Sequence, residues 1–246
     1  MTGMGTFIHT RISPTPELEY NAFCQCADER RGNFYDFISR DSGSLFVSVG
    51  DLPSDGGSPI VTVPCLQTLI RGLTAGSPDD LAEVARELNS MLHLLGPKDL
   101  FVPWFFARID PLRQELRYVN AGHESALLVR PRDGTAERLE HTGAALALST
   151  RSHVRERTKG MDPGDVLVVF SEGVAAALPD AQLLDLVLCN LDVSAAELTR
   201  RVLESADGTS RRSWLDEDRT FASVRYHAAC QRPLVHDAEQ LLVCAA

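Results

Sequence analysis

This sequence lacks any long apolar run, and it lacks an N-terminal segment that is first basic and then apolar. A helix that spans a membrane needs about 20 consecutive apolar residues, and a secretory signal needs that basic-then-apolar order. We therefore expect a cytoplasmic protein with no membrane partner. An excess of basic residues is missing too. The net charge of the 246 residues is −10 at pH 7, which argues against nucleic acid as the main partner.

Cysteine pairs and phosphate-binding glycine loops are also missing. None of the six cysteines belongs to a C-x-x-C pair, so neither a zinc site nor a disulfide framework is predicted. We expect free thiols, with Cys24 and Cys26 on one face of a strand because they lie two residues apart. The histidines other than His123 show no ligand spacing. A glycine loop followed by Lys and Ser or Thr is absent, which excludes a P-loop nucleotide phosphohydrolase.

Short apolar segments bounded by turn residues predict many strands. The clearest is the strand 166–170, which runs directly into Ser171-Glu-Gly173. Two helices are predicted near the middle of the chain and two after this strand. Ser77 and Pro78 are predicted to begin the second helix, as its N-cap and first helical residue. The predicted strands are 18–26, 34–38, 45–49, 101–109, 116–118, 126–129, 136–139, 166–170 and 220–226, and the predicted helices are 64–74, 77–95, 180–189 and one that begins at 194–197.

Hairpin connections dominate this order of strands, so the sheets are predicted to be mainly antiparallel. There are enough strands for two sheets, and two pairs of helices can cover the outer faces of a core formed sheet on sheet. The sequence therefore predicts an α+β protein, a four-layer α-β-β-α sandwich. We expect residues 17–226 to form this domain, residues 1–16 to be a flexible segment, and residues 227–246 to be an extension without an assigned role.

Three of the predicted strands have a carboxylate at one end. Asp51 and Glu172 each follow a strand, and Asp218 precedes the last one. We expect the three acids to meet at one edge of the sandwich. Carboxylates that meet repel each other unless a cation neutralises them, and oxygen ligands suit Mg²⁺, Mn²⁺ or Ca²⁺. Two such ions can activate a water and stabilise a displacement at phosphorus. The alternative is that each acid only caps a turn or a helix.

Five short segments, each occurring once, follow one another along the chain in a distinctive order. They are Phe34-Tyr-Asp-Phe37, Val49-Gly-Asp51, Tyr118-Val-Asn-Ala-Gly-His123, Pro163-Gly-Asp-Val-Leu-Val-Val-Phe-Ser-Glu-Gly-Val174 and Glu217-Asp-Arg-Thr220. This order resembles the PPM family of metal-dependent protein serine/threonine phosphatases, in its bacterial SpoIIE/RsbU-like branch. The resemblance implies the same sandwich and two Mn²⁺ or Mg²⁺ ions at one edge. It also implies a metal-bound water that attacks a phosphoserine or phosphothreonine. The typical substrate in this branch is a phosphorylated anti-sigma-factor antagonist.

The resemblance also assigns roles to the residues at the strand ends. Asp51 matches the acid that bridges the two metals, so catalysis would pass through it to the metal-bound water, and the backbone of Leu52 matches a further ligand. Asp218 matches the acid of a final Asp-x-Thr motif. Asn33 stands where the family has the aspartate of Gly-Gly-Asp, and Glu172 stands where it has the aspartate of Thr-Asp-Gly. These five residues are the expected metal ligands.

Two further residues are expected beside this site. Asp36 matches a frequent family acid, and we expect it to have a structural role, to support the ligands or to contact the substrate. His123 is a candidate general acid, and the competing interpretation is a histidine that holds its turn by hydrogen bonds. The loop after Asp51 reads Pro53-Ser-Asp-Gly-Gly57, where the family has Ser-Gly-His-Gly.

Two functions of different classes follow from this pattern. The first is an active metal-dependent protein phosphatase in bacterial sigma-factor or stress signalling. The alternative is a phosphatase-fold protein with weak or no catalysis that binds a regulatory partner. The three acids Asp51, Glu172 and Asp218 favour the first function. Two features speak for the alternative: Asn33 brings an oxygen ligand without a charge, and Glu172 carries its carboxylate roughly an ångström further out than aspartate. Metal-dependent turnover separates the two functions.

Overall fold

Two antiparallel sheets lie face to face in the computed structural model, which describes residues 6–9, 17–25, 32–52, 62–76, 79–151, 153–209 and 218–228. The strands are β1 (Thr6–His9), β2 (Leu18–Gln25), β3 (Gly32–Ser39), β4 (Leu45–Leu52), β5 (Trp104–Asp110), β6 (Glu115–Ala121), β7 (Ser125–Arg130), β8 (Thr135–Arg138), β9 (Arg157–Gly160), β10 (Val166–Phe170) and β11 (Arg219–Tyr226). Within the described residues a six-stranded sheet has the order β1-β2-β11-β10-β7-β8, and a five-stranded sheet has the order β3-β4-β5-β6-β9. Neighbouring strands pair antiparallel in both sheets.

The two sheets share an apolar core that lies between them. Alternate residues of each strand face this core, among them Val47 and Val49 of β4 and Leu167 of β10, because successive side chains of a strand point to opposite faces. Their neighbours Phe46 and Val168 face away from the other sheet and belong to two separate apolar clusters. We call the face toward the other sheet the inner face and the opposite one the outer face.

Helices cover both outer faces. α1 (Val63–Gly76) and α2 (Leu81–Leu95) pack on the five-stranded sheet, and α3 (Glu172–Ala177), α4 (Asp180–Leu188) and α5 (Ala195–Thr209) pack on the six-stranded sheet. The predicted α-β-β-α sandwich is therefore confirmed, although among the described residues the second helical layer has three members instead of a pair. The additional helix, α3, is short and begins where the sequence predicts only a turn. None of the described helices is long and apolar enough to cross a membrane.

Helix α2 begins at a different residue from the one predicted. The carboxylate of Asp80 accepts a hydrogen bond from the main-chain N–H of Glu83 at 2.8 Å, so Asp80 is the N-cap. Ser77 and Pro78, the predicted start, lie outside the described residues. Aspartate caps a helix as well as serine does. The sequence before α2 offers both a serine and an aspartate as N-cap, and the N-cap in the structure is the aspartate that directly precedes Leu81.

The sequence does not predict β1 or β9. β1 lies inside the segment 1–16, expected to be flexible, yet it pairs with β2 along its whole length, with Thr6 opposite Gln25. The flexibility of the segment stays a prediction, and its residues other than 6–9 lie outside the described residues. β9 is a polar strand at the edge of its sheet, where charged residues are common and the apolar alternation is lost. Residues 229–246 of the predicted extension also lie outside the described residues.

Candidate functional site

Asn33 and Asp51 lie opposite each other at the open end of the hairpin formed by β3 and β4. The main-chain N–H of Asp51 donates to the carbonyl of Pro103 at 3.1 Å, on the side of β4 away from β3. The Asn33–Asp51 pair is therefore of the non-hydrogen-bonded type, in which the Cα atoms lie about 4.5 Å apart and the side chains are close. Both side chains lie on the inner face, because Val47 and Val49 alternate in step with Asp51.

Thr220 of the six-stranded sheet lies against this pair. The side-chain Nδ2 of Asn33 donates to Oγ1 of Thr220 at 3.2 Å, and this hydrogen bond joins the two sheets. Thr220 is on the inner face together with Ala222, and it pairs with Cys24 of β2. Asp218 precedes Thr220 by two residues and thus lies at the same end of the sandwich. The structure therefore brings three of the predicted ligand positions to one end of the fold.

The end of β10 fixes the main chain next to Asp218. The hydroxyl of Ser171 donates to the carbonyl of Asp218 at 3.2 Å and accepts from the N–H of Thr220 at 2.9 Å. The N–H of Ser171 donates in turn to the carbonyl of Thr220 at 2.9 Å. Gly173 is required here, because a Cβ at this position would lie 2.4 Å from the carbonyl oxygen of Asp218. These contacts of Ser171 and Gly173 fix the position of the Asp218 main chain.

The three carboxylates predicted to meet do not form a cluster. Among the described residues, no three His, Cys, Asp or Glu side chains are close enough to hold a metal ion. The physical reason lies at the end of β10, where the strand stops at Phe170 and Glu172 already belongs to the first turn of α3. The Glu172 side chain is exposed. The structure therefore groups Asn33, Asp51 and the Asp218 segment, with Glu172 at the surface beside them.

Leu52 and Asp36 face the helices and not the inner face of the sheet. The side chain of Leu52 is buried on the outer face, so that only its main chain borders Asp51. Asp36 accepts two hydrogen bonds from Arg71 of α1, one of them from Nε at 2.7 Å. Asp36 and Asn33 lie three positions apart on β3, and an odd spacing puts them on opposite faces. Asp36 thus attaches α1 to the sheet, which is a structural role, and its expected part beside the metal ligands or the substrate stays a prediction.

His123 lies in the connection between β6 and β7, which crosses from one sheet to the other at the site end. Ala121 pairs with Trp104 on one side, and Ser125 pairs with Phe170 on the other. The main-chain N–H of His123 donates to Oδ1 of Asn120 at 2.9 Å. Its imidazole is buried, and Nδ1 has no hydrogen-bond partner among the described residues. The turn is thus fixed through the main chain of His123 and the side chain of Asn120, and the two interpretations of the imidazole stay predictions.

Burial and, to a smaller extent, the nearby His141 together lower the pKa of His123 to about 4. The imidazole is therefore neutral at pH 7, which does not suit a general acid that must carry a proton. Because the unfolded chain binds a proton near pH 6.5 and the folded chain does not, stability decreases as the pH falls through the interval from 6.5 to 4. At about 1.4 kcal/mol per pKa unit, the loss at pH 4.5 is about 2 kcal/mol.

We expect His123→Gln to remove this part of the acid sensitivity. The measurement is urea unfolding of both proteins at pH 7 and pH 4.5. The wild type should lose about 2 kcal/mol more of its free energy of unfolding between the two pH values than the variant does. His153→Gln, a change at an exposed histidine, is the control and should behave like the wild type. Equal losses in the wild type and in His123→Gln would show that His123 titrates normally.

The donor atoms at the candidate site are all oxygens. Asp51 and Asp218 contribute carboxylates, Asn33 an amide, and Leu52 a main-chain carbonyl. Such a set suits hard divalent cations, Mn²⁺ and Mg²⁺ among them, and excludes soft ones. The chemistry of the residues thus fits the metal implied by the sequence, with one negative charge fewer than aspartate would give at position 33.

The comparisons with known proteins identify relatives in sequence and in fold. Residues 41–227 match the family model described as stage II sporulation protein E (SpoIIE). Among curated proteins, the phosphoserine phosphatase RsbU of Bacillus subtilis (strain 168) is 23% identical over 211 residues. The match covers 81% of this chain and 61% of RsbU, so the chain spans about three-fifths of the length of that relative.

Solved structures with the same fold include the RsbU and RsbW domains of Rv1364c from Mycobacterium tuberculosis. That structure has a TM-score of 0.69 and 20% sequence identity, over 87% of this chain and 62% of the other. The catalytic domain of the serine threonine protein phosphatase PstP, in complex with two manganese ions, has a TM-score of 0.64 and 15% identity. The match covers 86% of this chain and 99% of the PstP catalytic domain. At these identities the likeness establishes the fold.

Proposed function

The chain belongs to the SpoIIE family, and from this membership we propose that it is a metal-dependent protein serine/threonine phosphatase. The observation that carries the proposal is the Asn33–Thr220 hydrogen bond of 3.2 Å, which brings the Asp51 end of one sheet to the Asp218 end of the other. Oxygen donors from both sheets thereby converge on one end of a sandwich shared with metal-containing phosphatases.

We propose Asp51, Asn33 and Asp218 as the side-chain ligands of the cation, with the carbonyl of Leu52 as a main-chain ligand. Glu172 is proposed as a further ligand, because it follows Ser171, which is hydrogen-bonded to the main chain of Asp218. It is proposed as a weaker ligand because its side chain is exposed at the surface. The sequence predicts two ions. Two converging carboxylates support one divalent ion better than two, since each added charge needs compensation by ligands.

Each residue of the site has a separate task in the proposed reaction. A bound cation supplies Lewis acidity toward the phosphoryl oxygens and lowers the pKa of water. Asp51 provides the negative charge at the centre of the site. Ser171 and Thr220 hold the main chain of Asp218 by the hydrogen bonds described above. The neutral His123 contributes by packing, because its low pKa removes it as a proton donor at pH 7.

The proposed substrate is a protein that carries a phosphoserine or phosphothreonine, and the proposed partner is a phosphorylated anti-sigma-factor antagonist. The support comes from the relative: RsbU is a phosphoserine phosphatase by name. A substrate of this kind reaches the site from solvent, which agrees with the exposed position of Glu172 at its edge. The cytoplasmic location stays a prediction from the sequence.

The experiment that tests this function is a Mn²⁺ titration of the full chain. Binding is measured by calorimetry, and release of phosphate from a phosphoserine peptide and from para-nitrophenyl phosphate is measured in the same samples. We expect Mn²⁺ to bind and phosphate release to saturate with it, and a chelator to stop the reaction. A phosphotyrosine peptide of otherwise identical sequence is the control and should be cleaved far more slowly. No binding and no release at millimolar Mn²⁺ would overturn the proposal.

A second function is favoured by two observations, the uncharged Asn33 and the lack of a three-acid cluster among the described residues. It is a phosphatase-fold protein that binds a phosphoprotein and does not hydrolyse it. The product separates the two functions. A binding protein would retain the phosphoserine peptide in a fluorescence anisotropy titration without releasing phosphate, whereas a phosphatase would release phosphate at a rate that depends on Mn²⁺.

A further inference from the structure

Three residues at the candidate site form a closed ring of hydrogen bonds through their side chains and the main-chain carbonyl of Asn33, and we call it the Cys24–Asn33–Thr220 ring. Nδ2 of Asn33 donates to Oγ1 of Thr220 at 3.2 Å. Oγ1 of Thr220 donates to Sγ of Cys24 at 3.4 Å, and Sγ of Cys24 donates to the main-chain carbonyl of Asn33 at 3.3 Å. Cys24 and Thr220 are 8% and 0% exposed. The ring joins β2, β3 and β11 and thus both sheets.

The direction of the ring follows from its main-chain member. The carbonyl of Asn33 can only accept, so the proton between it and Cys24 belongs to the thiol. The sulfur then accepts the proton of Thr220. The Thr220 oxygen has therefore used its own proton, and it can only accept from the side chain of Asn33. An amide nitrogen donates and an amide oxygen does not, so the nitrogen of Asn33 must face Thr220.

We propose that Thr220 and Cys24 are positioning residues that hold the amide of Asn33 with its oxygen, and not its nitrogen, free to serve the cation site. This inference rests on the proposed function. The two ends of an amide differ in their value to a cation, because the oxygen offers lone pairs and the nitrogen offers protons. Because the ring excludes the flipped amide, the oxygen of Asn33 is already oriented before the cation binds, and binding costs no further side-chain entropy at this residue.

The ring is specific to asparagine at position 33. An aspartate there would have no N–H to donate, and its carboxylate would instead accept the proton of Thr220. Thr220 could then no longer donate to the sulfur of Cys24. Cys24 therefore influences the side chain at position 33 only when that residue is asparagine, which gives the inference a test in a second background.

The ring itself is tested in the metal-free protein by infrared spectroscopy of the S–H stretch. The Cys24 band is assigned by its loss in Cys24→Ser. We expect Thr220→Val, which has nearly the same shape without the hydroxyl, to shift this band because the sulfur loses an incoming hydrogen bond. Thr220→Ser keeps the hydroxyl and should leave the band in place. An unshifted band in Thr220→Val would overturn the ring.

The positioning role is tested by Mn²⁺ calorimetry on the same proteins. Loss of a residue that orients a metal ligand typically costs 10-fold or more in metal affinity, so we expect Thr220→Val to weaken Mn²⁺ binding about 10-fold. Thr220→Ser should restore the affinity. Cys24→Ala should weaken binding in the same direction but less, because Thr220 still accepts from Asn33. In the Asn33→Asp background Cys24→Ala should have no effect on Mn²⁺ affinity.

The outcomes separate this inference from the proposed function. Wild-type protein that binds Mn²⁺, with Thr220→Val binding it equally well, would overturn the positioning role and leave the phosphatase proposal intact. Wild-type protein that does not bind Mn²⁺ at all would overturn the phosphatase proposal and the positioning role with it. An equal loss of affinity from Cys24→Ala in both backgrounds would also overturn the inference, because it would show a general effect on packing.

Discussion

Replacing Asp51 by asparagine is expected to reduce Mn²⁺-dependent phosphate release by at least about 100-fold. Mutation of residues that only hydrogen-bond to metal ligands already lowers metal affinity or activity by about 10- to 100-fold, and Asp51 is proposed as a ligand itself. The substitution keeps the size of the side chain and removes its charge. Asp51 is the inner-face carboxylate that lies directly opposite Asn33, which has no charge to replace it. Mn²⁺ affinity should fall together with turnover.

The main chain at Asp51 is held tightly enough for this loss to be chemical and not structural. The N–H of Asp51 is bonded to Pro103 at 3.1 Å. Gly50 precedes it at a point where a Cβ would lie 2.7 Å from the ring of Phe34 and 2.9 Å from the carbonyl of Pro103. This close approach fixes β4 between its neighbours. Asp51→Asn should therefore still fold and unfold in one cooperative transition in urea in the absence of metal.

The control for Asp51→Asn is Asp133→Asn. Asp133 is exposed in the turn between β7 and β8, at the opposite end of the sandwich. The control loses the same charge and should keep its Mn²⁺ affinity and turnover. Phosphate release by Asp51→Asn within a factor of about three of the wild type, measured at saturating Mn²⁺, would mean that the reaction does not pass through this residue.

The fold was predictable because its signals are local. The β10 strand is a continuous run of five buried apolar residues, and such a run predicts a strand covered on both faces. The hairpin of β3 and β4 is marked by Asp41-Ser-Gly-Ser44 and is found in the structure around that turn. β1 and β9 escaped prediction because they are short edge strands, whose pairing is decided by a neighbour and not by their own sequence.

The candidate site was predictable in part. The strand-end positions of Asp51 and Asp218 predict that both lie at one end of the sandwich, and the structure places them there together with Asn33. The exposed position of Glu172 was not predictable, because one residue of helix after β10 suffices to turn its side chain to the surface, and single-sequence patterns do not define such boundaries. The parts played by Thr220 and Cys24 were missed. Their bonds to Asn33 join positions up to 187 residues apart, and only period-2 alternation places both on an inner face.

Asn33→Asp is expected to raise Mn²⁺ affinity by at least about 10-fold, which corresponds to about 1.4 kcal/mol. Two unit charges of opposite sign 4 Å apart attract each other by about 4 kcal/mol at an effective dielectric constant of 20. Desolvation of the new carboxylate removes part of this gain. Calorimetric titration with Mn²⁺ measures the change. Phosphate release at low Mn²⁺ should increase in the same proportion, because more of the protein then carries the ion.

The metal-free variant should show the opposite effect on stability. The new carboxylate at position 33 would lie directly opposite Asp51 in a pair whose Cα atoms are about 4.5 Å apart, and like charges in such a pair are destabilising. Asn33→Asp should therefore melt below the wild type without metal and gain more from Mn²⁺, because a ligand that binds the folded state raises its stability by mass action. Gln182→Glu adds the same charge on the exposed face of α4 and should change neither quantity. Asn33→Asp with unchanged Mn²⁺ affinity and unchanged melting temperature would place residue 33 outside the metal site, and the phosphatase proposal would then lose the residue that joins the two sheets.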